Sequence, residues 1–174
     1  GNPTIGRLTV GLKYTIDGTK LTARGLEAGE LAKEINSRSN LTSITVTSCT
    51  LNKDDWEAIK QSISSLQTID LAGATYEGTD KDNLAYSYNG AKGLPLLTVQ
   101  LPQGVTGLGD HAFRECTSLT SIDLPEGVTS IGKSAFYNCF ALESIDLPEG
   151  LESIGDYAFD YCKALTSITL PEGV

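Results

Sequence analysis

The feature that most limits what this chain can fold into is a spacing. Leu101, Leu124, Leu147 and Leu170 recur every 23 residues, each followed by a proline at 102, 125, 148 or 171. The same offset joins Phe113, Phe136 and Phe159; Cys116, Cys139 and Cys162; Leu119, Leu142 and Leu165; and Val99, Ile122, Ile145 and Ile168. A unit this short has an apolar face too small to be stable alone. Such a period therefore implies stacking of neighbouring units into one continuous core, a solenoid.

Within one unit, Leu-Thr-Ser-Ile-Asp-Leu at 119–124 places Ile122 and Leu124 on one side and Ser121 and Asp123 on the other, the alternation of a strand with one buried face. Leu-Pro-Glu-Gly at 124–127 reads as a turn with Pro second and Gly fourth. On the return limb Val128 and Ile131 are expected in the core, and 134–139 leaves room for one tight turn. A 23-residue unit cannot hold a strand and a long helix, so short strand and 3₁₀-like structure are expected there. The letters that differ between copies, at 133, 134, 137 and 138, are expected to face water.

Upstream the period lengthens to 25: Ile16, Leu41 and Leu66 align, as do Leu21, Val46 and Leu71, and Leu31 with Trp56. Residues 41–46 and 66–71 are strands of the same kind, but 51–65 reads as a helix with Trp56, Ile59 and Ile63 on one stripe. Asn52 is its expected N-cap, Asp54 and Asp55 suit the positive end of the helix dipole, and Leu51 is placed to staple against Trp56. The expected architecture is α/β: a solenoid with one parallel sheet, formed by a single domain over 1–174. Residues 1–15 are its N-terminal edge or cap, with Asp17-Gly18 as a hairpin turn. Helix-backed 25-residue repeats fill 16–71, and 23-residue repeats with short return limbs fill 96–174. Between them, 72–95 is degenerate, with Gly90 and Gly93 standing where Phe113 and Cys116 stand one repeat later, and a loop is expected. The last repeat stops at Val174, leaving an open sheet edge that invites pairing. The absence of Met and the start at Gly1 suggest a processed or recombinant fragment, and the natural protein is expected to continue.

The unit L-x-x-I-x-L-P-x-x-V-x-x-I-G-x-x-A-F-x-x-C-x-x-L, seen at 119–142, resembles the BspA-like leucine-rich repeats of bacterial cell-surface proteins. The match covers 96–174 closely, and the helix-backed turns at 16–71 look like the N-terminal portion such proteins carry. The resemblance implies a leucine-rich-repeat fold, export, an extracellular or cell-surface location, and adhesion or ligand binding, with no catalytic residues to transfer.

Charge narrows the partners. Lys and Arg total 13 against 22 Asp and Glu, a net charge of −9, so a nucleic-acid backbone is repelled and no nucleic-acid partner is expected. No apolar run reaches about 18 residues, so direct membrane insertion of this segment is not expected either. No cofactor is expected.

The outward strand positions are the candidate ligand-binding residues: Thr98, Ser121, Ser144 and Ser167 in one row, and Gln100, Asp123, Asp146 and Thr169 in the next. Neighbouring carboxylates about 5 Å apart repel, and a cation or basic ligand group would relieve them. The bland reading is a solvated polar face. A dedicated Ca²⁺ site needs 6 to 8 oxygens, which one row of two carboxylates does not supply. The expected function is a non-enzymatic binding or adhesion module for a protein or glycan, host-derived ligands included. The alternative is a spacer or stalk in a larger surface protein.

Other features carry less. Cys116, Cys139 and Cys162 are expected to pack as small core hydrophobes. A disulfide in that column is permitted by separation but poorly oriented, zinc lacks a C-x-x-C and a second histidine, and Cys49 has no obvious partner. His111, the sole histidine, is replaced by Ser134 and Tyr157 in later copies, and an exposed position is expected. Hydrolysis by paired carboxylates is disfavoured because Asp123 and Asp146 lie on an open sheet. Glu126, Glu149 and Glu172 read as solubilising turn residues, and 79–83 falls short of a Ca²⁺ loop. Tyr76, Tyr86 and Tyr88 either contact a partner or pack the loop. Asn40-Leu41-Thr42 matches a glycosylation sequon by pattern only.

Overall fold

The computed structural model describes residues 14–38, 40–52, 54–55, 58–59, 65–76 and 97–174. It opens with an antiparallel hairpin of β1 (Tyr14–Asp17) and β2 (Lys20–Arg24), and Gly18 takes the left-handed φ of 59° in its turn. From β2 onward the pairing is parallel, through β3 (Ser43–Leu51), β4 (Thr68–Asp70), β6 (Thr98–Gln100), β8 (Ser121–Asp123) and β10 (Ser144–Asp146). The short strand β5 (Ala74–Tyr76) pairs with the far end of β3. Inward residues of successive strands stand in one column, Leu21, Ile44, Ile69, Val99, Ile122 and Ile145, all buried.

A second parallel sheet, beyond the single one expected, runs along the return limbs. It joins β7 (Gly107–Leu108), β9 (Ser130–Ile131) and β11 (Ser153–Ile154). The return limb then continues as interlocked turns rather than as 3₁₀ helix. Ala135, Tyr137 and Cys139 donate N–H to the carbonyls three residues back, whereas Ser134, Phe136 and Asn138 donate to Asp156, Ala158 and Asp160 of the next turn. The alternation needs left-handed φ at Ser134 (53°) and Asn138 (63°), and the same pair recurs at His111 and Glu115 and at Tyr157 and Tyr161. A right-handed 3₁₀ helix cannot contain such residues. Inside these turns the rings of Phe113, Phe136 and Phe159 stack, with centroids 5.5 and 5.3 Å apart.

Three local expectations change. The turn after each strand has proline first rather than second: Val128 N–H donates to Pro125 C=O (3.1 Å) and Leu151 to Pro148 (3.0 Å). Proline, having no N–H for the ladder, ends the strand instead of entering the turn. Ser134 is buried rather than outward, since the following turn covers it, and His111 is half-buried rather than exposed. Of the segment 72–95, residues 74–76 are strand rather than loop, and Tyr76 is buried there. Tyr86, Tyr88 and 79–83 lie outside the described residues.

At the N-terminal end the register differs from the 25-residue alignment. Ile16 pairs across the hairpin with Leu21, and it is Leu21, not Ile16, that begins the inward column. Leu21 stands beside Ile44 and Ala23 beside Val46, a step of 23; the 25-residue step begins only between β3 and β4, where Ile44 meets Ile69. A register shift after Ala23 absorbs part of the difference.

Among the described residues, helix is confined to the early turns. In α1 (Glu30–Asn36), Leu31, Ala32 and Ile35 face the core. Residues 54–55 and 58–59 are helical one turn later, and Asn52 caps them as expected, its side-chain oxygen accepting from the N–H groups of Asp54 and Asp55. Trp56 and Ile63 lie outside the described residues. Asp55 does more than favour its own helix. Fully buried, it accepts N–H from Gly29 (2.7 Å), Ala32 (2.8 Å) and Asn52 (3.0 Å), so it also caps the start of α1 and latches two turns together.

Two stability predictions follow from this packing. A Cβ at position 132 would stand 2.7 Å from the Gly109 carbonyl oxygen, whereas one at 150 would meet only Glu126 O at 3.7 Å. Gly132→Ala is thus expected to destabilise by about 2 kcal/mol and Gly150→Ala to stay within about 1 kcal/mol of the parent, read from urea midpoints. Asp55→Ala strands the buried Ala32 N–H and the part-buried N–H groups of Gly29 and Asn52, and a loss of about 2–3 kcal/mol is expected in the same assay.

Candidate functional site

The outward face of the main sheet brings the predicted rows together. Thr98, Ser121 and Ser144 are register partners across β6, β8 and β10, and so are Gln100, Asp123 and Asp146. They are half-buried to exposed, because alternate residues of each strand must face away from the core. The Gln100 amide donates to Asp123 Oδ2 at 2.7 Å, tying two turns across the row. Asp146 lies beyond Asp123 as its direct neighbour, so the last two described strands put two carboxylates side by side.

The rows also extend further than the sequence reading took them. Thr68 and Asp70 of β4 continue them, followed by Ser43 and Thr45 of β3. The signal was available, because Leu41 and Leu66 align at 25 residues and carry Ser43 and Thr68 with them. Ser167 and Thr169 do not join a ladder: both are exposed in a stretch without strand structure. They instead line an open depression of about 510 Å³ with Ser144, Asp146, Glu149 and Glu172.

The cysteines belong to the core. Cys49, Cys116, Cys139 and Cys162 are buried free thiols. The Cys139 and Cys162 S–H groups point at the Phe113 and Phe136 carbonyls, at 3.1 and 3.2 Å, and Cys49 Sγ accepts N–H from Leu26. Burial pushes every one of these thiols up, Cys116 to about 12 and Cys162 to about 11. In the sequon, Asn40 is exposed and Thr42 Oγ1 lies 2.6 Å from Thr19 Oγ1 in an inter-turn hydrogen bond.

A parallel solenoid with an open polar face defines a repeat protein whose sheet presents side chains at regular intervals. The family model for the BspA type leucine rich repeat region matches residues 86–174 in six copies, and the chain belongs to that family. Similar solved structures include two bacterial proteins. A leucine rich cell surface protein from Faecalibacterium prausnitzii A2-165 is 25% identical, with a TM-score of 0.51 over 90% of this chain and 45% of its own. The T. pallidum leucine rich repeat protein is 20% identical, with a TM-score of 0.45 over 92% of this chain and 69% of its own. No curated relative matches the chain.

The raised thiol values have a signed consequence. Neutral thiols are favoured in the folded state, so their contribution is complete below the ordinary value of 9.0 and is lost as pH climbs toward 11 to 12. Urea midpoints measured from pH 8 upward should fall less steeply in a variant with Cys116, Cys139 and Cys162 replaced by Ala than in the parent.

Proposed function

We infer that the protein is a non-enzymatic binding module acting at a bacterial surface, and that the outward sheet rows meet a protein or glycan ligand. The observation that carries this reading is the in-register alignment of Thr68, Thr98, Ser121 and Ser144 beside Asp70, Gln100, Asp123 and Asp146. Hydroxyl, amide and carboxylate groups at strand spacing offer hydrogen-bond donors and acceptors to a ligand lying across several strands, and positions on neighbouring turns act together. Family membership and the surface protein from F. prausnitzii support the location.

The spacer reading has its own support. The Ser-Ile-Asp triplet recurs unchanged at 121–123 and 144–146, so that part of the face carries little that distinguishes one ligand from another.

One experiment separates the two readings. The intact chain is screened against a glycan array and extracellular-matrix proteins, and any ligand is titrated against the Asp123→Ala/Asp146→Ala variant. Loss of two ligand-facing carboxylates is expected to weaken binding about tenfold or more. Unchanged affinity removes the sheet face from consideration, and no ligand at all favours the spacer.

A further inference from the structure

Charge is divided unevenly along the coil and around it. Residues 1–96 hold ten Lys and Arg against eleven Asp and Glu, whereas 97–174 hold three against eleven. Those three cations all sit on the return limb or its turns. Arg114 Cζ lies 5.2 Å from the centroid of the Tyr137 ring, Lys163 Nζ lies 4.9 Å from that of Phe140, and Lys133 follows β9 with its N–H bonded to Asp110.

The sheet face receives none of that positive charge. From β3 to β10 its two outward rows contain hydroxyls, one amide and the carboxylates of Asp70, Asp123 and Asp146, with neither a cation nor an aromatic ring. The first cation along the face is Lys20 of β2, opposite Asp17 in the hairpin. Asp123 has a coil on each side and is still exposed. Neighbouring turns stack against the strand edges, so further coils would lengthen the rows without covering them.

The carboxylates are held to different degrees. Asp70 Oδ1 accepts the Ala72 N–H at 3.2 Å, and Asp123 Oδ2 accepts from the Gln100 amide at 2.7 Å. Asp123 and Asp146 are direct register neighbours, about 5 Å apart at strand spacing. Like charges at that separation repel, and a cation beside them is favoured.

We propose that this face docks a protein segment carrying several Lys or Arg side chains, whose cations lie over Asp123 and Asp146 and reach along the row toward Asp70. The inference rests on the sheet face being the binding surface and narrows its ligand from protein or glycan to basic protein. Ammonium and guanidinium groups bring several N–H donors to a carboxylate, and the adjoining hydroxyl row supplies further acceptors. The acidic surplus of 97–174 steers such a partner inward from a distance. A neutral glycan would find no aromatic face on which to pack its sugar rings, and it would leave the paired carboxylates uncompensated.

The test titrates the intact chain with a labelled nona-lysine peptide, with nona-glutamate, and with a glycan array that includes amino sugars, at about physiological ionic strength. D123N/D146N removes two charges from the face with little change of shape. E152Q/D156N removes two from exposed positions on the return limb, so the two variants have the same net charge. D123N/D146N is expected to bind nona-lysine about fivefold more weakly than the parent, and E152Q/D156N within about twofold of it. Equal losses in the two variants would show that net charge alone draws the peptide and would overturn the proposal. Binding of nona-glutamate would do the same. A glycan whose binding falls in D123N/D146N while nona-lysine is unaffected would overturn it and leave the sheet face standing as a binding surface. If neither peptide nor glycan responds to D123N/D146N, the inference and that reading fall together.

Discussion

In-register stacking of one turn upon the next is the constraint on which the rest of the structure depends. Ile122 lies beside Val99 and Ile145 beside Ile122, and the stacked phenylalanines hold the opposite side of the coil in the same alignment. Between them, the short second sheet and the interlocked turns bind backbone to backbone on the return limb. A residue inserted within the strands or the interlocked turns would misalign these ladders, whereas the segment between β4 and β6 lengthens the step to 30 residues with Ile69 still beside Val99. The strict 23-residue spacing is the trace of that penalty, and Gly132 is one of its sharper expressions: two backbones approach where no Cβ fits.

Much of this was legible because stacking makes chemical demands that repeat. A buried position in one turn must match its copy in the next, so Phe113, Phe136, Phe159 and the cysteine column declare themselves through identity alone. The N-terminal register was harder. Leu21, Val46 and Leu71 share a spacing of 25, yet β2 stacks on β3 at 23. A hairpin that turns Ile16 back upon Leu21 leaves no mark in a parallel alignment. Asp55 shows another limit. Its place near a helix start has a sufficient local explanation, and nothing in the sequence tells that its carboxylate also reaches Gly29 and Ala32. Ser134 differs between copies as a surface residue would, but a small side chain in a left-handed turn is covered by the coil above.

The two outward rows differ in what their variation means. Hydroxyls fill one row from Ser43 through Thr68, Thr98 and Ser121 to Ser144, while the next runs Thr45, Asp70, Gln100, Asp123 and Asp146. Contact extended over many turns needs sameness, which the first row has. Specific recognition needs differences between positions, which the second row has.

The stacked phenylalanines carry a last consequence. Their centroids lie 5.5 and 5.3 Å apart between successive turns, a step close to the ~4.8 Å between paired strands. Both sides of the coil therefore advance by similar amounts per turn, and each added coil offers its outward hydroxyl and carboxylate positions one fixed interval further on. A polymer whose own repeat matches that interval gains a further set of contacts with every coil it spans.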